Sequence, residues 1–251
     1  MRVTVCQLPD APEEFDTAWA NLGEGAAGSD LVVLPELPFY PWMAWTHHFD
    51  QAVWDESVLA HEQWIDRLGE LGAGTVVGSA PMGHDVRRNR AFTWHDGQVE
   101  YGHEKYYLPE EPGFWEASWY RRGDGSFERS SVAGHSAGFL ICTELWFTDR
   151  AREYARQGVR LLLTPRVTEL QTSDKWIIGG QAAAIMSGAY SLSSNRAGSS
   201  NGVSFGGKGW VIDPNGNVLA VTDEENPVVT LGIEPAAADG AKETYPRYVE
   251  E

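Results

Sequence analysis

Apolar positions in this chain fall into short runs separated by helix-like stretches. Residues 2–8 alternate, with Val3, Val5 and Gln7 on one face and Thr4, Cys6 and Leu8 on the other, which is the period of a strand. Residues 12–27 predict a helix, with Asp10 as a plausible N-cap and Pro12 near its start. The run Leu31-Val-Val-Leu34 predicts a buried strand that ends in Pro35-Glu36-Leu37-Pro38. The same order recurs later: a strand over 138–141, a helix over 144–157 stopped by Gly158, and a buried strand over 160–165 that ends in Thr164-Pro165-Arg166. Two such βαβ units predict an α/β fold with an internally pseudo-symmetric sheet, although no sequence repeat of fixed period accompanies them. Between the units the pattern predicts a long helix over 51–71, a strand over 74–78, and an antiparallel pair over 90–94 and 99–103 around Asp96-Gly97. Beyond them come a helix over 173–187 and strands over 189–194, 209–213, 217–221 and 228–233, with Asp213-Pro-Asn-Gly216 as a turn.

No Pro/Gly/Ser linker interrupts this order, so residues 1–251 are expected to form one domain, with the polar tail from Pro235 packing on a partner subunit. The formal charge of −17 opposes binding to nucleic acid or to an anionic membrane, and no apolar run approaches membrane-spanning length. Two cysteines make no disulfide framework, and Met1-Arg-Val-Thr-Val-Cys-Gln-Leu-Pro9 lacks a signal-peptide core, so a reducing, cytoplasmic location is expected.

Candidate chemistry concentrates at the ends of the predicted strands. Cys142 stands where strand gives way to helix, a corner at which helix amides stabilise a thiolate; read alone, a cysteine beside Leu and Ile is a small core residue. Cys6, within a strand, reads as core. Glu36, bracketed by Pro35 and Pro38, reads equally as a surface-turn glutamate and as a partly desolvated carboxylate. Only four lysines (Lys105, Lys175, Lys208 and Lys242) stand against fifteen arginines, and Lys105 opens an irregular, aromatic, Pro-rich loop over 103–119 of the kind that carries function. Trp42, Trp115 and Trp146 suggest an aromatic substrate pocket. Arg166 reads either as a ligand for a substrate carboxylate or as part of a structural ion pair. His47-His48 has no third ligand at metal-binding spacing, so no metal is expected.

Four pieces then line up in chain order: Leu34-Pro35-Glu36; Lys105-Tyr-Tyr-Leu-Pro109; Pro112-Gly-Phe-Trp-Glu116; and Leu140-Ile-Cys-Thr-Glu-Leu-Trp-Phe147. Ser194-Asn-Arg-Ala-Gly198 and the stretch from Gly206 to Ala220 extend the match over nearly the whole chain. The ordered set resembles the nitrilase, or carbon–nitrogen hydrolase, superfamily. That resemblance implies an α-β-β-α sandwich that pairs into an eight-layer α-β-β-α-α-β-β-α homodimer or a higher homo-oligomer. It implies that Cys142 is the nucleophile, Glu36 the general base and Lys105 the cation at the oxyanion. Glu116 becomes the second glutamate, ionised and positioning substrate and lysine, and the Thr143 backbone N–H becomes the second oxyanion donor. Thiol, carboxylate and ammonium together supply nucleophile, proton shuttle and charge stabilisation for acyl transfer, so no cofactor is implied. Thr143 stands where several branches carry Trp or another residue, and Glu144 where amidase-like members often have Asp and true nitrilases have Glu; the short chain favours an amidase for a small-molecule amide or N-carbamoyl amine. Nitrile hydrolysis is the alternative within catalysis, and a catalytically silent small-molecule binding protein is the alternative outside it.

Overall fold

The computed structural model describes residues 1–83 and 85–249. β1 (Arg2–Pro9) leads through α1 (Pro12–Ala26) to β2 (Leu31–Val33); then come α2 (Gln51–Ile65), β3 (Thr75–Met82), β4 (Arg88–His95), β5 (Gln98–Glu104) and the single-turn α3 (Glu116–Trp119). The second half runs β6 (Ser130–Val132), β7 (His135–Phe139), α4 (Thr148–Arg156), β8 (Leu161–Pro165), α5 (Ser173–Ser187), β9 (Tyr190–Ser200), β10 (Val203–Gly206), β11 (Trp210–Ile212), β12 (Val218–Val221), β13 (Val228–Gly232) and α6 (Ala237–Lys242).

Strand order is β5-β4-β3-β2-β1-β9-β8-β7-β6, with β13 antiparallel along residues 2–6 of β1. Only Gln7, Leu8 and Pro9 of β1 pair with β9, so the two halves of the sheet join at one corner and face each other elsewhere. Three layers of core follow. Val3, Val5, Val33 and Val77 from one half meet Phe139, Leu161, Leu163 and Leu192 from the other. On the outer side of the first half, Phe15, Trp19, Leu22 and Ala26 of α1 cover Cys6, Leu8 and Val32. On the outer side of the second, Tyr154 of α4 and Ala183 and Ala184 of α5 cover Leu140 and Leu162. β1 is therefore buried on both faces, and its alternation separates two apolar layers rather than core from solvent. This is the expected α-β-β-α sandwich, and its mirrored halves are the pseudo-symmetry read from the two βαβ units.

Two local expectations change. The helix expected over 144–157 is a 3-10 turn, Cys142–Trp146, followed by α4. The break falls at Phe147, whose ring stacks on Tyr107 with centroids 3.4 Å apart. The helix expected over 51–71 ends at Ile65 and resumes as a 3-10 turn, Leu68–Leu71. The polar tail also makes contacts within its own chain: Ala238 and Ala241 are buried, Asp239 pairs with Arg160 at 2.6 Å, and Arg247 donates to Ile185 O at 2.9 Å, while Tyr245 and Tyr248 stay exposed. Alanines and an arginine that reaches backbone carbonyls suffice to dock a tail whose overall composition is polar.

Candidate active site

Lys105 follows the last residue of β5 and is fully buried. Its amide donates to Asn89 O at 2.9 Å, which carries the β4–β5 pairing one residue further and fixes the direction of the side chain. Nζ donates to Glu36 Oε1 at 2.8 Å and to Glu116 Oε1 at 2.8 Å, and stands 2.6 Å from Glu116 Oε2. Glu36 leaves β2 on a turn in which Leu37 adopts a φ of 43°, a conformation that costs a leucine about 1–3 kcal/mol. Arg196 of β9 holds that turn by donating to the carbonyls of Glu36 and Leu37, and the buried Asp10 carboxylate holds Arg196. Asn89 Nδ2 donates to Glu36 Oε1 at 2.6 Å, while Glu36 Oε2 has no hydrogen-bond partner among the described residues. Glu36 is thus a fully buried carboxylate, which resolves the two readings that its prolines allowed.

Cys142 sits just beyond β7 with a φ of 49°, another left-handed non-glycine residue of the kind found at nucleophile turns. Its Sγ donates weakly to Val167 O at 3.4 Å. Gly138 lets α4 approach this strand: a Cβ there would lie 2.7 Å from the Tyr154 ring, whose hydroxyl donates to Phe139 O at 3.0 Å. The amides of Cys142 and Thr143 open the 3-10 turn, so neither has an acceptor within it; the first internal bond runs from Glu144 N to Ile141 O.

The electrostatics follow from one ammonium among two carboxyls and a thiol with little water. Burial opposes the Lys105 charge, yet Glu116 and then Glu36 outweigh it, and the lysine is held above its ordinary range. Burial pushes the Glu116 carboxyl up to about 8, against Lys105, with the Glu36 charge adding to the rise. One ammonium stands between two carboxyls, so Glu36, Glu116 and Lys105 titrate as one coupled group. Burial, and then the Glu36 charge, raise the Cys142 thiol far more than Lys105 lowers it. These surroundings favour the thiol over the thiolate that a helix start stabilises.

A cavity of about 210 Å³ opens onto Cys142, Thr143 and Glu116, walled by Phe114, Val167, Trp146 and Trp176 and rimmed by Glu111, Glu169 and Lys175. Of the three tryptophans singled out from sequence, Trp146 lines it. Trp42 is buried core, donating from Nε1 to Gly113 O at 2.8 Å and backing Phe114. Trp115 lies outside the lining and meets His47 edge-on, centroids 5.5 Å apart. Arg166 is fully buried and is not part of this cavity's lining: Nε donates to Ser193 Oγ, Nη1 to Thr168 Oγ1 and Nη2 to Lys208 O, with the guanidinium 3.9 Å above Trp210. No carboxylate pairs with it among the described residues, and burial lowers it to about 9. It is neither a pocket ligand nor half of an ion pair. Asn89, Tyr120, whose hydroxyl accepts from Asn89 Nδ2 at 3.4 Å, and Trp176 carried no mark in the sequence, and Asn89 lies just outside the strand expected over 90–94.

A sequence profile described as Carbon-nitrogen hydrolase matches residues 2–242. The chain is 27% identical over 228 residues to the 2-oxoglutaramate amidase of Bacillus subtilis (strain 168), covering 87% of this chain and 83% of that one. Its fold is similar to that of a carbon-nitrogen hydrolase from Helicobacter pylori G27 (TM-score 0.83, 20% identity, 99% of this chain and 94% of that one). It is also similar to that of an amidase from Nesterenkonia sp. (TM-score 0.77, 20% identity, 95% and 92%).

Proposed function

The chain belongs to the carbon-nitrogen hydrolase family, and on that premise we propose that it is a cysteine-dependent amidase for a small-molecule amide or N-carbamoyl amine. The observation that carries this reading is the contact of the Lys105 ammonium with both Glu36 and Glu116, beside a cavity that Glu116 shares with Cys142. In this reading Glu36 accepts the thiol proton as Sγ attacks the substrate carbonyl carbon. The oxygen, now negative, is met by Lys105 Nζ and the Thr143 amide. Glu36 returns the proton to the departing nitrogen, the C–N bond breaks, and ammonia or an amine leaves a thioester on Cys142. Water, deprotonated by Glu36, then attacks the thioester; the acid leaves and the thiol regains its proton. Because the resting thiol is neutral, proton removal has to accompany attack, which is why a carboxylate with an unpaired oxygen matters more here than a preformed thiolate.

Glu116 holds Lys105 and positions the substrate amide beside Cys142. The walls of Phe114, Val167, Trp146 and Trp176 suit a compact, partly apolar acyl group. Residues 1–251 act as one domain in this reading, paired with a second copy. The test is a screen of amides, N-carbamoyl amines and nitriles for ammonia or amine release, with intact-mass detection of the acyl-enzyme. Turnover of amides or carbamoyl amines with an adduct on Cys142 supports the reading; turnover confined to nitriles replaces it.

A further inference from the structure

Another buried charge pair, His103 with Glu144, lies outside the cavity and outside the mechanism. His103 Nε2 stands 2.7 Å from Glu144 Oε2, and both side chains are almost fully enclosed. The other ring nitrogen, Nδ1, stands 3.1 Å from Ser126 O. A carboxylate and a carbonyl are both acceptors, so the ring satisfies both only as an imidazolium that donates from each nitrogen. Glu144 accepts two further bonds, from Ile141 N at 2.8 Å and from Tyr106 N at 2.7 Å. Ile141 immediately precedes Cys142, and Tyr106 immediately follows Lys105. One carboxylate therefore receives an amide from beside each of the two reacting groups, and an imidazolium from the strand residue two before Lys105.

We propose that His103 and Glu144 form a positioning pair that sets the separation of the Lys105 ammonium and the Cys142 thiol. Glu144 fastens the turn of Cys142 to the strand end of Lys105, and the His103 ring completes the set of donors around its carboxyl. The proposal rests on the catalytic roles assigned above to Lys105 and Cys142. An ionised carboxylate makes stronger bonds to amides than a neutral acceptor does, and an unpaired one would be costly to bury. Burial opposes the His103 charge, but Glu144 outweighs it and the ring is held above its ordinary range. The other charged group facing the ring is Asp124, from the loop before β6, and Tyr154 of α4 faces Glu144. The Cys142 turn is left-handed at its first residue, so it depends on such bonds to keep its shape.

Steady-state kinetics of Glu144→Gln, Glu144→Asp, His103→Gln and the double variant His103→Gln/Glu144→Gln test the pair on an amide that wild type hydrolyses. Misplacing a reacting group by about 1 Å costs on the order of 100-fold in rate, so kcat is expected to fall by about that factor in Glu144→Gln and His103→Gln with KM within about threefold. Glu144→Asp should recover part of the loss, and the double variant should be no slower than the worse single one. Unchanged kcat, a loss carried by KM alone, or single losses that multiply in the double variant would overturn the proposal. Where Glu144→Gln does not fold, the ring nitrogen resonances of His103 in wild type decide together with His103→Gln: a neutral ring at pH 7, or wild-type kcat in His103→Gln, overturns it. Cys142→Ala, assayed alongside, separates the two ideas. Turnover in Cys142→Ala sinks the catalytic reading; an inactive Cys142→Ala beside a fully active Glu144→Gln sinks only the pair.

Discussion

Lys105 Nζ stands 2.8 Å from Glu36 Oε1, and neither side chain is exposed to solvent. The contact joins the end of β5 to the turn after β2, segments almost 70 residues apart in the chain. A buried ion pair of this kind is weak evidence for stability, because desolvation consumes most of the Coulomb attraction. Its value lies in placement: a charge that cannot be solvated by water is available to a developing oxyanion.

Lys105→Arg is expected to lower kcat by about 100-fold or more, the cost of losing one oxyanion donor. A planar guanidinium is larger than an ammonium and points its donors differently, and the space around Nζ is already shared by two carboxylates. Turnover assays on a substrate from the screen check this. Near-normal kcat would remove Lys105 from the oxyanion.

Glu116 gives a pH dependence whose sign is fixed. Its carboxyl is raised from 4.5 to about 8 in the fold. As pH rises through that window the unfolded chain gives up the proton first, so the folded state holds more protons and stability falls, by at most about 1.4 kcal/mol per pH unit for one proton. The contribution is complete below pH 4.5 and gone above about 8. Urea unfolding of wild type and Glu116→Gln should therefore give a stability difference that shifts in favour of the variant as pH rises from 5 to 8. A difference independent of pH would contradict the raised carboxyl.

Arg196→Met should cost about 3–5 kcal/mol, the range for breaking a buried ion pair by removing one partner. It leaves the buried Asp10 charge uncompensated and releases the carbonyls of Glu36 and Leu37. Urea unfolding measures the loss, and a change of less than about 0.5 kcal/mol would class the pair with surface contacts.

Arg166→Lys should weaken the fold without changing selectivity for charged substrates. Three neutral acceptors surround the guanidinium, and a lysine cannot reproduce that fork. The ratio of KM for a carboxylate-bearing amide to KM for a neutral one should match wild type. A selective rise for the carboxylate-bearing amide would restore Arg166 as a substrate ligand.

The layers were legible because burial writes a period. The alternation over residues 2–8 and the run Leu31-Val-Val-Leu34 specified strands, and Ser173–Ser187 is a helix at the bounds the pattern gave. Residues 144–157 read as one helix because a 3-10 turn and an α-helix share nearly the same period; what divides them, the Tyr107–Phe147 stack, spans 40 residues of chain. At the site, the strand-end positions of Glu36 and Cys142 were visible in sequence, and their ordered resemblance to a family singled them out. The supporting shell was not. Asn89 and the pair of Asp10 with Arg196 matter through contacts between distant segments; Trp42 read as a pocket residue, and Arg166 as either a ligand or half of an ion pair, because residue type does not reveal which way a buried side chain faces.

The central claim is that Cys142 carries the acyl group. Intact-mass spectrometry during turnover, run on wild type, Cys142→Ala and Cys6→Ala, tests it most directly. Wild type and Cys6→Ala should gain the mass of the acyl group less the thiol hydrogen, and Cys142→Ala should show neither increment nor product at unchanged thermal stability. Product formation by Cys142→Ala at the wild-type rate would contradict it.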